Sequence, residues 1–237
     1  MKKPALQIIL FFLPWLLLAH CSHYYYTPNS QTIPLFREKG EARISGGIYG
    51  ARESEGFVLN TALAPMDHIA FLGNFMTGDA TGNENWGKGN FGEIGIGYYH
   101  ADRSFAVFEC YSGFGFGTIT NHYAPRMESE VDYWRYFIQP SFGLRTSLCE
   151  LAFSSRLCLV AYDNVNIDSE LGQSFEYGPV EYIIENKIFF LAEPAVTFRL
   201  GSEKFKIQAQ MVRSIPLNND DLKMEEINFN LGFILTF

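Results

Sequence analysis

The chain has 237 residues, a formal net charge of −8 and a pI near 5.1, and 16% of it is aromatic, with 22 Phe and 13 Tyr beside 21 Gly. Such an acidic balance excludes nucleic acid as a partner, because a phosphate backbone demands a basic footprint. Past the N-terminal segment, no apolar run reaches the roughly 20 residues of a membrane helix.

Lys2 and Lys3 precede an apolar run from Ala5 to Leu18, broken only by Gln7 and Pro14. This is the charged start and short apolar core of a secretory signal, so residues 1–20 are read as a signal peptide. Without those two lysines the −8 becomes −10 for the exported part. Cys21 follows the apolar run directly, the arrangement of a bacterial lipoprotein signal cut before a cysteine that then carries lipid; the alternative is ordinary secretory cleavage nearby. A lipidated Cys21 leaves Cys110, Cys149 and Cys158, an odd number that makes no complete disulfide framework. Residues 21–39 hold two prolines and no usable periodicity, and read as a lipid-anchored linker.

From Gly40 to Phe237 the pattern is different. Ten segments alternate between apolar and polar side chains: about 40–50, 56–64, 67–77, 90–100, 104–117, 132–146, 149–162, 187–200, 203–214 and 225–237. Trp134, Tyr136, Ile138, Phe142 and Leu144 oppose Arg135, Gln139, Ser141 and Arg145, for example. In the last segment Ile227, Phe229, Leu231, Phe233, Leu235 and Phe237 share one parity. Period two is the signature of strands with one apolar face. The gaps alternate too. Those at 65–66, 101–103, 147–148 and 201–202 are tight; those at 78–89, 118–131, 163–186 and 215–224 are longer, and only 51–55 departs from the scheme. Tight turns at one end and long loops at the other predict an all-β, antiparallel up-and-down transmembrane barrel of about ten strands, with eight or twelve as the alternative counts. Lipid offers no hydrogen bonds, so the last strand must close on the first, near Arg43. The apolar face then meets outer-membrane lipid, the loops face outward, both termini lie on the periplasmic side, and Phe237 falls at the periplasmic rim.

The stretches TIPLFREKGEARISG, LAPMDHIAFLGN, GEIGIGYY and VFECYSGFGFG resemble the small outer-membrane β-barrel proteins of the Bacteroidota, several of which carry lipoprotein signals. The resemblance covers most of the chain after Tyr24. It implies fold and location and says almost nothing about activity. A terminal aromatic residue, here Phe237, also resembles the C-terminal signal read by the outer-membrane assembly machinery, which would then be a partner. Surface-exported lipoproteins of those bacteria often carry acidic residues after the lipid cysteine; SHYYYTPN has none, so the linker is not expected to reach the outer surface.

The polar parity places Arg43, Glu93, Glu109, Arg135, Arg145, Glu150, Arg156, Glu193, Arg199 and Lys206 in the lumen. A ten-stranded barrel is narrow enough for side chains to fill, and mixed charges there predict ion pairs that close it. The expected role is structural or in surface interaction; the alternatives are a small solute pore or binding barrel and, more remotely, an outer-membrane hydrolase. No HExxH, CxxC pair, P-loop or GxSxG is present, so neither an enzyme nor a cofactor is expected. His68 beside Asp67 reads as a rim histidine, and His122, near Glu128, Glu130 and Asp132, as part of a loop. Gly113, Gly115 and Gly117 read as room for rings such as Phe91 or Tyr111. The acidic stretch 163–186 is expected to be a solvated outer loop, with Asp163, Asp168 and Glu170 as weak candidate ligands for a divalent cation.

Overall fold

The structure, a computed structural model, describes residues 24–81, 85–102, 105–123, 127–169, 178–218 and 221–237. The strands are β1 (Ala42–Gly50), β2 (Glu55–Met66), β3 (Ile69–Thr81), β4 (Trp86–Ala101), β5 (Ala106–Tyr123), β6 (Met127–Arg145), β7 (Cys149–Ser169), β8 (Ile188–Gly201), β9 (Phe205–Arg213), a two-residue β10 (Ile215–Pro216) and β11 (Ile227–Thr236). Each barrel strand pairs antiparallel with its sequence neighbour, and β11 joins β9 to β1, which closes a ten-stranded barrel; β10 only adds two pairs to β8. The closing seam runs from Arg43 opposite Thr236 to Gly50 opposite Phe229. The expected strand count and the expected first-to-last pairing are both present.

The alternation has its physical cause in two different environments. Outward side chains such as Phe57, Ile94, Phe114, Tyr136, Phe153, Phe198 and Phe233 are about half exposed, while their inward neighbours are buried. On β6 the apolar outer face runs from Trp134 to Leu144. That is ~33 Å of strand, or ~25 Å upright at a tilt near 40°, the height of a lipid band. Beyond Trp134 the outer face turns polar. Thr118 donates to Asp132 at 2.6 Å, and Asn164 donates to Asp132 at 3.3 Å. At that level a bulge between Val131 and Tyr133 shifts the register of β6 against β7.

Strands β5, β6 and β7 therefore continue past the lipid band, with 18, 19 and 21 residues. This corrects the expected loops at 78–89, 118–131 and 163–186, much of which are strand. The end of the last stretch is also not a solvated loop. Residues Gly178–Glu185 form a helix, α1, that buries Val180 and Ile183 one turn apart against the cluster containing Tyr162 and Phe189. Asp163 and Asp168 sit five residues apart on β7, ~17 Å along a strand, too far to share an ion. No three His, Cys, Asp or Glu among the described residues group in a metal-holding arrangement. Glu170 lies outside the described residues.

Candidate functional site, a plugged lumen

The main departure from expectation is the segment read as a linker. From Tyr24 to Phe36 it runs through the barrel, and Arg37–Gly40 emerge at the end with the tight turns. Tyr25, Tyr26, Ile33, Leu35 and Phe36 are fully buried, as are Asn29, Ser30 and Gln31. Thirteen extended residues reach ~40 Å, enough to cross the whole barrel.

The barrel grips this segment by its main chain. At the long-loop end, Asn121 Nδ2 donates to the Tyr24 carbonyl at 3.2 Å, Tyr162 Oη to the Tyr25 carbonyl at 2.7 Å, and the Glu225 amide to the Tyr26 carbonyl at 2.9 Å. The Tyr25 amide donates to the Lys223 carbonyl at 2.8 Å. Midway, Gln210 takes the Gln31 amide at 2.7 Å and returns a bond to the Gln31 carbonyl at 2.9 Å, as a neighbouring strand would. Asn74, Gln139, Arg199 and Arg145 donate to the carbonyls of Ser30, Thr32, Ile33 and Leu35 at 2.8–3.1 Å. The Phe36 amide donates to Glu109 Oε1 at 3.0 Å. A polar backbone inside a lumen must find partners, and here wall side chains, with the backbone of Lys223 and Glu225 at the loop end, supply them.

Nine of the ten predicted lumen charges separate into two groups; the tenth, Glu109, holds the Phe36 amide and the Tyr111 hydroxyl. In the first, Arg135 pairs with Glu93, and Arg156 lies 3.2 Å from Glu93 and 3.9 Å from Glu193. Asn29 of the plug is the centre of this group. Its Oδ1 accepts from Arg135 and Arg156, both at 2.6 Å, and its Nδ2 donates to Asn74 at 2.6 Å and Glu93 at 3.3 Å. Tyr26 Oη donates to Glu193 at 2.6 Å and accepts from Arg135 at 2.8 Å. Arg135 also stacks 4.1 Å from the centre of the Phe91 ring. In the second group, Glu150 receives a bidentate pair from Arg43 at 2.9 Å and a bond from Arg199 at 2.8 Å, with Lys206 at 3.4 Å and Arg145 at 3.6 Å. Arg145 is held in addition by Glu41 at 2.7 Å. All ten sequence-predicted lumen residues face inward; Arg145 alone keeps noticeable exposure, at 11% of its side chain.

The plug also has shape partners. Leu35 adopts a positive φ of 54°, and its Cδ2 would lie 2.5 Å from a Cβ at Gly143. Rings fill the other lumen glycines as expected: Cβ atoms at Gly113 and Gly117 would lie 2.8 Å from Phe137 and 2.6 Å from Tyr133, and one at Gly115 would strike Phe91. A partly open pocket beside the plug, among Tyr24, Tyr49, Met76, Phe91 and Tyr133, has a volume of about 50 Å³, room for water and not for a solute.

The remaining candidates are peripheral. His68 occupies the two-residue β2–β3 turn with φ 66°, bonds the Tyr99 carbonyl at 3.1 Å and stacks on Tyr98; Asp67 pairs instead with Lys39 at 3.6 Å. His122 lies on β5, not in a loop; it stacks on Trp86 and is 3.9 Å from Glu128. Glu225, in the β9–β11 connection, accepts from the amides of Arg52 and Glu53 at 3.2 and 2.8 Å, and burial raises its pKa above the usual carboxylate value despite those donors. Phe237 exchanges backbone bonds with Ala42 at the tight-turn rim. Tyr24 and Phe237 thus lie at opposite mouths, against the expectation of both termini on one side; the residues before Tyr24 lie outside the described ones. Cys21 lies outside the described residues.

No protein-family model and no curated protein matches the sequence. Among solved structures, the chain is similar to the N-terminal β-barrel domain of Pseudomonas aeruginosa OprF (10% identity, 84% of this chain and 98% of that one, TM-score 0.39). It is also similar to the translocator domain of the Neisseria meningitidis autotransporter NalP (11%, 83% and 86%, TM-score 0.49) and to the Escherichia coli outer membrane protease OmpT (10%, 83% and 93%, TM-score 0.47). Likeness at this level is one of barrel architecture. The class here, a closed antiparallel ten-stranded barrel, rests on the chain's own strand pairing.

Proposed function

We propose that this protein is an integral outer-membrane barrel, sealed by its own N-terminal segment, with a structural or surface-interaction role and no enzymatic one. The observation that carries this reading is the plug: Tyr24–Phe36 fills the lumen and meets barrel donors at eight of its thirteen carbonyls. An open solute path is disfavoured by the residual cavity of about 50 Å³. The apolar belt of barrel height supports a membrane setting, and the export signal together with the resemblance to Bacteroidota barrel proteins supports the outer membrane of such a bacterium. In this reading Cys21 is lipidated, Phe237 helps the assembly machinery recognise the chain, and the long β5–β7 hairpins project outward for a partner. The test is single-channel recording of the refolded full chain in planar bilayers. The expected result is no steady conductance; stable open steps would establish the pore reading instead.

A further inference from the structure

The plug has a direction. Tyr24 sits among the long connections, where Asn121 and Lys223 hold it and Tyr25. The other end, Leu35 to Gly40, is fixed among the tight turns by Glu109 and Arg145. The chain therefore enters the lumen at the loop mouth, runs down it and turns into β1 from the opposite side. Cys21 lies three residues before Tyr24, so it can be at most ~11 Å from it. It cannot reach the leaflet at the tight-turn end, since that end is a full barrel height away.

The rim beside Tyr24 is also the low point of the loop mouth. The β1–β2 connection is only 51–54, whereas β5, β6 and β7 overshoot the lipid band on another side. An open cleft of about 420 Å³ leads from Tyr24 past Ala51 and Arg52 to Gly50 and Ile227. Gly50 and Ile227 belong to the outward face, and Ile227 is 47% exposed there. The cleft is bordered by Tyr24 of the plug and by Gly50 and Ile227 at the β1–β11 seam, with Arg52, Glu225 and Glu226 also lining it.

We infer that the N-terminal end of the exported chain is displayed at the loop mouth, and that a lipid on Cys21 passes through this notch into the leaflet on that side, the outer leaflet of the outer membrane. The barrel would then carry its anchor on the cell surface. The inference rests on the proposed outer-membrane orientation with long loops outside.

A site-specific protease sequence inserted between His23 and Tyr24 tests it, in cells fed a palmitate analogue. Two companion variants carry the same site between Glu38 and Lys39, and within 172–175 of the β7–β8 connection. Protease added to intact cells should strip the palmitate label from the barrel in the first variant, cut the third, and leave the second uncut until the membrane is permeabilised. Cleavage of the third with protection of the first would overturn the threading. Cleavage of the second alone would overturn the orientation, and with it the proposed placement of the loops. Absence of palmitate on the unmodified chain, with cleavage of the first variant intact, would overturn the lipid placement. In that last case surface display of the N-terminus stands, and N-terminal sequencing then locates its first residue.

Discussion

The two charge groups in the lumen are built on different plans. Around Glu150, the barrel wall satisfies itself: Arg43, Arg199, Lys206 and Arg145 converge on one carboxylate, and the plug contributes only the carbonyls of Ile33 and Leu35. Around Glu93, the wall is incomplete without the plug, because Asn29 and Tyr26 stand between Arg135, Arg156, Glu93 and Glu193. The first group is part of the barrel; the second is a socket. A buried ion group stabilises only when its remaining donors and acceptors are filled, so the socket ties closure of the lumen to stability of the wall.

The largest expected effect comes from removing residues 24–36. The socket then holds two guanidiniums deprived of plug acceptors, and unfolding in urea should show a loss above ~5 kcal/mol, with conductance appearing in bilayers. If the deleted barrel is as stable as the parent, the socket idea fails. Next, Glu150→Ala leaves four cations facing one another and should cost ~3–5 kcal/mol. Its coupling to Asn29→Ala in a double-mutant cycle should stay below ~0.5 kcal/mol, which sets the two groups apart.

A finer cut uses Asn29. Asn29→Ala should cost ~2–3 kcal/mol, since it removes acceptors from two charged donors. A double-mutant cycle with Arg156→Met should show coupling of ~1 kcal/mol or more, and one with Arg43→Met less than ~0.5 kcal/mol. Equal coupling to both arginines would erase the distinction. The smallest effect is steric: Gly143→Ala should cost ~1–2 kcal/mol through collision with Leu35, and a Leu35→Ala background should cancel most of it. A cost unchanged in that background would place the collision within the wall.

What the sequence conveyed follows the same division. Strand positions and the inward direction of Arg43, Glu93, Arg135, Glu150 and Arg199 follow from parity alone, because a wall strand has two unlike faces. The plug has no such asymmetry. Asn29, Ser30, Gln31 and Thr32 are buried on every side by wall residues, so no period arises. A run of polar residues between prolines then reads like a solvated linker. The expected loops are too long for a related reason: past Trp134 the outer face of β6 turns acidic at Asp132, Glu130 and Glu128 while Val131 and Tyr133 are buried inside, so the apolar parity inverts although pairing continues to Met127. Helix α1 was hidden in an acidic stretch; Pro179 in its first turn and the Val180–Ile183 spacing were the available signs.

The β1–β11 seam has a consequence for the order of assembly. It joins residues at the two ends of the barrel, Arg43 with Thr236 and Gly50 with Phe229, and encircles a segment that enters from the far mouth. Feeding Tyr25 and Tyr26 through a finished ring would drag two bulky rings past Arg135 and Glu193. Wrapping an open, curling sheet around a segment already laid along its inner face meets no such barrier. Closing the seam last, with the N-terminal segment as the mandrel on which the cylinder is rolled, is the order of assembly that avoids that passage.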